Sequence, residues 1–179
     1  MNFKLIFTLV IASSLALDAT SQQQALPAEW KTLEISGHSI AYPEMWEPDT
    51  SGNMGSVFFL HAPLTNEEDT FMENINLILQ NLADEKMKSK AYISRTIEQI
   101  TTYLKDYKII QNAKTKKNNK ECYVLEYSGS MNNFELHFLQ YIWVQKGKAY
   151  ILTFTATSES FELYRPTAIQ MLESMKLKF

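Results

Sequence analysis

One cysteine, Cys122, occurs in the 179 residues, which excludes a fold stapled by an intramolecular disulfide. An unpaired thiol in an oxidising compartment survives best when buried, and the strand-like ECYVLEY around it predicts burial. Glycine is scarce as well: the five stand at 37, 52, 55, 129 and 147, each in a predicted turn or loop. None opens a helix directly after a strand, and Gly52 and Gly55 in SGNMGS lack phosphate-loop spacing, which argues against a nucleotide site. There is no G-x-S-x-G nucleophile elbow. His38, His61 and His137 sit singly in different predicted strands, without the i, i+4 pairing of H-E-x-x-H, so isolated histidines are a better reading than zinc ligands. Glu121 and Glu126 would raise a nearby thiol pKa, which opposes Cys122 as a nucleophile. Charge of one sign is missing too. With 17 basic and 20 acidic residues the net charge is −3, which weighs against generic affinity for nucleic acid.

Long apolar runs are confined to the start, where Lys4 precedes an apolar stretch from Leu5 to Leu17 that is too short to span a bilayer comfortably. This reads as a signal peptide over residues 1–21, cut between Ser21 and Gln22 with Ala19 and Ser21 as the small residues at −3 and −1. The expected product is periplasmic or secreted and has no transmembrane segment. Removing Lys4 and Asp18 leaves 16 basic (17 − 1) and 19 acidic (20 − 1) residues. Residues 22–29 form a loose lead, and no linker or repeat divides 30–179, which reads as one domain.

WKTLEI and HSIAYP form a predicted hairpin around Ser36-Gly37, EPDTSGNMGS a loop, and SVFFLHA a strand with Phe58 and Leu60 on one face and Val57 and Phe59 on the other. Ile93, Ile97, Ile100 and Leu104 recur at helical spacing within Ser89 to Asp106. KIIQNAKTK, KECYVLEYSG, NFELHFLQYIWVQK and KAYILTFTAT then read as four strands, with turns near Asn118-Asn119, over Gly129 to Asn133 and at Lys146-Gly147. A terminal helical region follows, in which Pro166 opens a new helix with Ile169, Leu172 and Met175 inward. This order predicts an α+β fold, an antiparallel β-sheet flanked by helices.

The stretch DTFMENINLILQNL, preceded by Glu67 and Glu68, mixes carboxylates with aliphatic residues. Period-two alternation from Asn74 makes it a strand, with Ile75, Leu77 and Leu79 on one side and Asn74, Asn76, Ile78 and Gln80 on the other. Glu67, Glu68 and Asp69 fall in the loop before it, without the glycine of a calcium loop, so whether they bind a cation is left open. Lys114, Lys116, Lys117 and Lys120 cluster at one hairpin tip and read as a solvated turn before a docking patch. Trp30, Trp46 and Trp143 invite a stacking site, yet the last two sit in core register.

HSIAYPEMW, SVFFLHAP, DTFMENINLILQNL, YISRTIEQITTYLKDYKII and the run from YSGSMNNFELHF to MLESMK, in this order, resemble the PsbP-like family over nearly all of the expected mature chain. The resemblance implies an α/β/α sandwich around an antiparallel sheet and a non-enzymatic role, since relatives act by docking to unrelated partners. The expected function is therefore an exported binding or assembly module for an unknown protein or envelope partner, with no catalytic, cofactor or metal residues assigned. Two alternatives stand beside it. One is a binder of a small apolar or lipid ligand between helix and sheet; the other is a hydrolase using Asp69 or Glu73 with His61.

Overall fold

The computed structural model describes residues 29–82 and 86–179. The expected signal peptide, its cleavage point and all of the lead except Glu29 lie outside the described residues. β1 (Trp30–Ile35) and β2 (His38–Pro43) form a two-stranded antiparallel sheet. Seven strands make the main sheet: β3 (Glu47–Asp49), β4 (Ser56–His61), β5 (Asn74–Asn81), β6 (Lys105–Lys117), β7 (Lys120–Met131), β8 (Phe134–Gln145) and β9 (Lys148–Thr157). Their spatial order is β3-β4-β5-β9-β8-β7-β6, every pair antiparallel. Helix α1 (Ser89–Tyr103) connects β5 to β6, and α2 (Phe161–Ser174) follows β9.

Four two-residue turns set the hairpins. Ser36-Gly37, Asn118-Asn119, Asn132-Asn133 and Lys146-Gly147 all have positive φ at both positions, the type I′ geometry whose twist matches that of paired strands. The third turn lies at the end of the stretch expected to bend. Gly129 is not in the turn but inside β7, opposite Leu136. It is a glycine for space: an added Cβ would lie 3.0 Å from Leu104 Cβ, 3.0 Å from the Lys105 carbonyl oxygen and 3.2 Å from Tyr107 Cα. The exit of α1 crosses β7 at this point. Gly129→Ala is expected to cost about 1–3 kcal/mol in denaturant unfolding, although alanine ordinarily suits a strand better.

The alternating sequence separates two cores. One face carries Phe58, Leu60, Ile75, Leu77, Trp143 and Phe154 beneath α2 and the β1–β2 hairpin. The other carries Leu125, Tyr127, Phe138 and Ile142 beneath Tyr92, Ile93, Ile100 and Leu104 of the α1 segment. Among the described residues the result is an antiparallel sheet with two helices, α2 and the hairpin contributing to one core and α1 to the other. Trp46 and Trp143 are core residues as expected, while Trp30 packs half-buried against the same cluster.

Several boundaries differ from expectation. The helix ends at Tyr103 and the strand begins at Lys105, with Asp106 inside it at φ 49° where the pairing with β7 is irregular. Short β3 lies in the expected loop and pairs with β4. A bulge between Ser56 and Phe58 moves Val57 to the Phe58 side, against α2's core. Pro166 does not begin α2 but lies inside it; the carbonyl deprived of its partner is that of Glu162, which is exposed and open to water. The inward residues of α2 are Phe161, Ala168, Met171 and Leu172, with Ile169 at the margin and Met175 buried just past the helix end.

Candidate functional site

His61 and Glu73, considered together for catalysis, lie on different sides of the sheet. His61 is paired with Asn74 and lies on the α1 side of the sheet, whereas Glu73 is buried and accepts a hydrogen bond from the Ser160 hydroxyl at the start of α2. The backbone therefore separates the expected acid and histidine. Asp69 accepts hydrogen bonds from the Thr65 amide and hydroxyl at 2.9 and 3.0 Å and from the Phe71 amide at 3.2 Å, and these donors hold its carboxyl below the usual range. Its oxygens thus organise their own loop. Glu67 and Glu68 are exposed, and among the described residues no group of three or more His, Cys, Asp or Glu side chains is arranged for a metal.

Cys122 is fully buried under α2, and burial pushes its thiol up to about 12. At neutral pH it is a thiol, packed rather than reactive. Of the lysine cluster, Lys114 pairs with Glu121 at 2.5 Å, and Lys117 pairs with Glu173 and lies 5.1 Å over the Tyr141 ring. Two of the four positive charges are thereby matched locally.

A buried polar group that the sequence reading missed sits beneath α2. Glu126 receives Arg165 in bidentate form, Nη1 to Oε1 and Nη2 to Oε2 both at 3.1 Å, while His137 Nε2 lies 3.0 Å from Oε1. The His137 ring stacks on Phe161 with centroids 3.5 Å apart. Desolvation lowers the His137 pKa against the pull of Glu126, so the imidazole is neutral at pH 7 and donates through Nε2. The available signal was a glutamate interrupting the apolar register of β7. Its role is to tie α2 to β7 and β8.

Two features can receive something from outside. The first is β6, thirteen residues at the sheet edge, largely exposed, with Tyr107, Ile109 and Ile110 among its open side chains. The second is a cavity of about 390 Å³ between α1 and the sheet, walled by Ile100, Tyr127, Phe138, Ile142 and Ile151. It falls in the about 300–1,000 Å³ range of small-molecule sites. The Tyr92 hydroxyl donates to Gln80 Oε1 at 2.6 Å and holds the helix to β5 beside it. Asn76, on the side of β5 away from Ile75, Leu77 and Leu79, is buried on this side of the sheet. Gln140 and Thr153 supply the cavity's inner polar groups; their signal was a polar residue at an inward position between apolar neighbours.

The protein of unknown function PA94 from Pseudomonas aeruginosa, described as a putative regulator, superposes with TM-score 0.61 at 12% identity over 84% of this chain and 99% of its own. Cyanobacterial PsbP from Synechocystis sp. PCC 6803 gives TM-score 0.61 at 14% identity, covering 89% of this chain and 99% of its own. LpqN of Mycobacterium tuberculosis, involved in cell envelope biogenesis, gives 0.60 at 12%, covering 82% and 89%. These likenesses establish a shared fold. No curated protein matches the sequence significantly. No helix among the described residues is long and apolar enough to cross a membrane. The PsbP family model matches residues 27–177, and the chain belongs to the PsbP family.

Proposed function

We propose that this protein is an exported, non-enzymatic docking module that takes up a strand from a protein or envelope partner along β6. The carrying observation is the contrast between the two sheet edges. At one, β3 is three residues long and contains Pro48, the usual protection of an edge. At the other, β6 runs from Lys105 to Lys117 with an open flank and apolar side chains in water. Such an edge offers its backbone to an incoming strand. Lys105, Lys108 and Lys116 keep two copies of β6 apart and favour a partner strand bearing carboxylates, while Lys114 and Lys117 are already paired within the chain. Family membership supports a binding role, and the envelope role of LpqN fits an envelope partner. A single exported domain with α/β/α layering, cleaved after Ser21, completes this reading.

The test places a photo-crosslinking residue at Ile110 or Asn112, with exposed Leu163 on α2 as control. Discrete adducts confined to the β6 positions, weakened by Lys108→Glu with Lys116→Glu, are expected; equal labelling from Leu163, or none from β6, would sink the proposal. A second reading, a binder of a small apolar or lipid ligand, is favoured by the cavity under α1.

A further inference from the structure

The lining of the α1 cavity contains no Asp, Glu, Lys, Arg or His. A charged ligand group would enter without a counter-ion and against apolar walls, an arrangement that is costly. The polar groups inside are asymmetric. Gln140 Nε2 donates to Thr153 Oγ1 at 3.1 Å, while Gln140 Oε1 is buried with no partner among the described residues. Register extends this pattern across the sheet: Gln140 on β8 faces Thr153 on β9, which faces Asn76 on β5, and Asn76 Oδ1 is likewise buried without a partner. Two unmet acceptors therefore flank one hydroxyl in a single cross-strand row. Buried acceptors of this kind call for donors, not for further acceptors. Tyr103 and Met131 line the same cavity and are exposed, which puts its mouth at the C-terminal end of α1.

We propose that this cavity binds a neutral amphiphile, an uncharged molecule whose hydroxyl or amide N–H meets Gln140 Oε1 while its hydrocarbon lies along Ile142, Ile151 and Phe138. The inference rests on reading the cavity as a ligand site and adds the class of ligand. Fatty acids are disfavoured because an ionised carboxylate would meet the Gln140 Oε1 acceptor in a lining that holds no cation.

The experiment uses the exported chain, purified without detergent, and the matched ten-carbon probes decan-1-ol and decanoate at pH 8, below micelle formation, followed by calorimetry. Decan-1-ol is expected to saturate at one molecule per chain, about tenfold more tightly than decanoate, the scale of one net hydrogen bond. Gln140→Leu should remove most of that preference, and Ile151→Trp, which fills the cavity, should abolish binding of both probes. Ile142→Phe fills the cavity from the neighbouring strand, where Ile142 pairs with Ile151, and serves if Ile151→Trp does not melt cooperatively. Decanoate binding as tightly as decan-1-ol, and lost on filling, would overturn the neutral class while leaving the ligand site standing. Binding of neither probe, or binding unchanged by both filling variants, would overturn the site as well.

Discussion

Arg165→Ala should destabilise the protein by about 3 kcal/mol at pH 8, lowering Tm by about 10 °C. Glu126 is 3% exposed, and removing the guanidinium leaves its carboxylate inside the protein beside a neutral imidazole. Breaking such a pair costs about 3–5 kcal/mol, and the lower end applies because the Arg165 side chain is 32% exposed, so water can reach part of the gap. The pH dependence separates this cause from lost packing. In the native protein the folded His137 pKa lies below the unfolded value of 6.5, because desolvation outweighs the pull of Glu126. Native stability is therefore full above pH 6.5 and declines as pH falls through the folded value. In the variant Arg165 no longer repels an imidazolium and Glu126 needs a counter-ion, so protonation of His137 becomes favourable. The difference between the two proteins should thus shrink from pH 8 to pH 5.5. Urea unfolding at both values measures it, and adding His137→Gln should remove the narrowing. A loss below about 1 kcal/mol at pH 8 would show that Glu126 is hydrated after all.

Phe161→Ala should cost about 3–5 kcal/mol, a large share of the about 5–15 kcal/mol typical of a folded domain. Phe161 is fully buried at the first residue of α2, stacked on His137 and 5.3 Å from Phe154, with the Arg165 guanidinium 5.5 Å from its ring centre. Its loss leaves a cavity and opens one face of the imidazole to water. Because burial is the leading cause of the depressed His137 pKa, the acid decline in stability should flatten in this variant. Phe161→Leu, which keeps most of the volume, should lose less and retain the decline. The effects of Phe161→Ala and Arg165→Ala should fall short of additivity by about 0.5–3 kcal/mol, since both act on one group of contacting side chains. Strict additivity in the double variant would show that the two residues act independently.

Local chemistry was the legible part of this fold. Ser36-Gly37, Asn118-Asn119 and Lys146-Gly147 announce tight turns, and the alternation through Ile75, Leu77 and Leu79 announces a strand, because backbone preference and side-chain period are written within a few neighbours. The helix overrun to Asp106 arose where Leu104 keeps helical spacing though the backbone has already turned; its burial is genuine but comes from the chain beyond the helix. Pro166 inside α2 was misplaced because sequence cannot show that the Glu162 carbonyl it strands faces water. The candidate sites were harder to read. Glu126, His137 and Arg165, and separately Asn76, Gln140 and Thr153, are brought together by strand order and register, which no local pattern encodes.

Strand order also bears on when the sheet can be completed. β5 pairs with β4 on one flank and with β9 on the other, Asn74 lying opposite Thr155, so nearly half the chain intervenes between these partners. During synthesis the β3–β4–β5 portion keeps one unsatisfied flank until residues 148–157 have emerged, whereas β6 to β9 can zip through their own short hairpins. The β3–β4–β5 portion thus waits for its second partner until the last strand is made, and that closure is the pairing of longest sequence separation in the sheet.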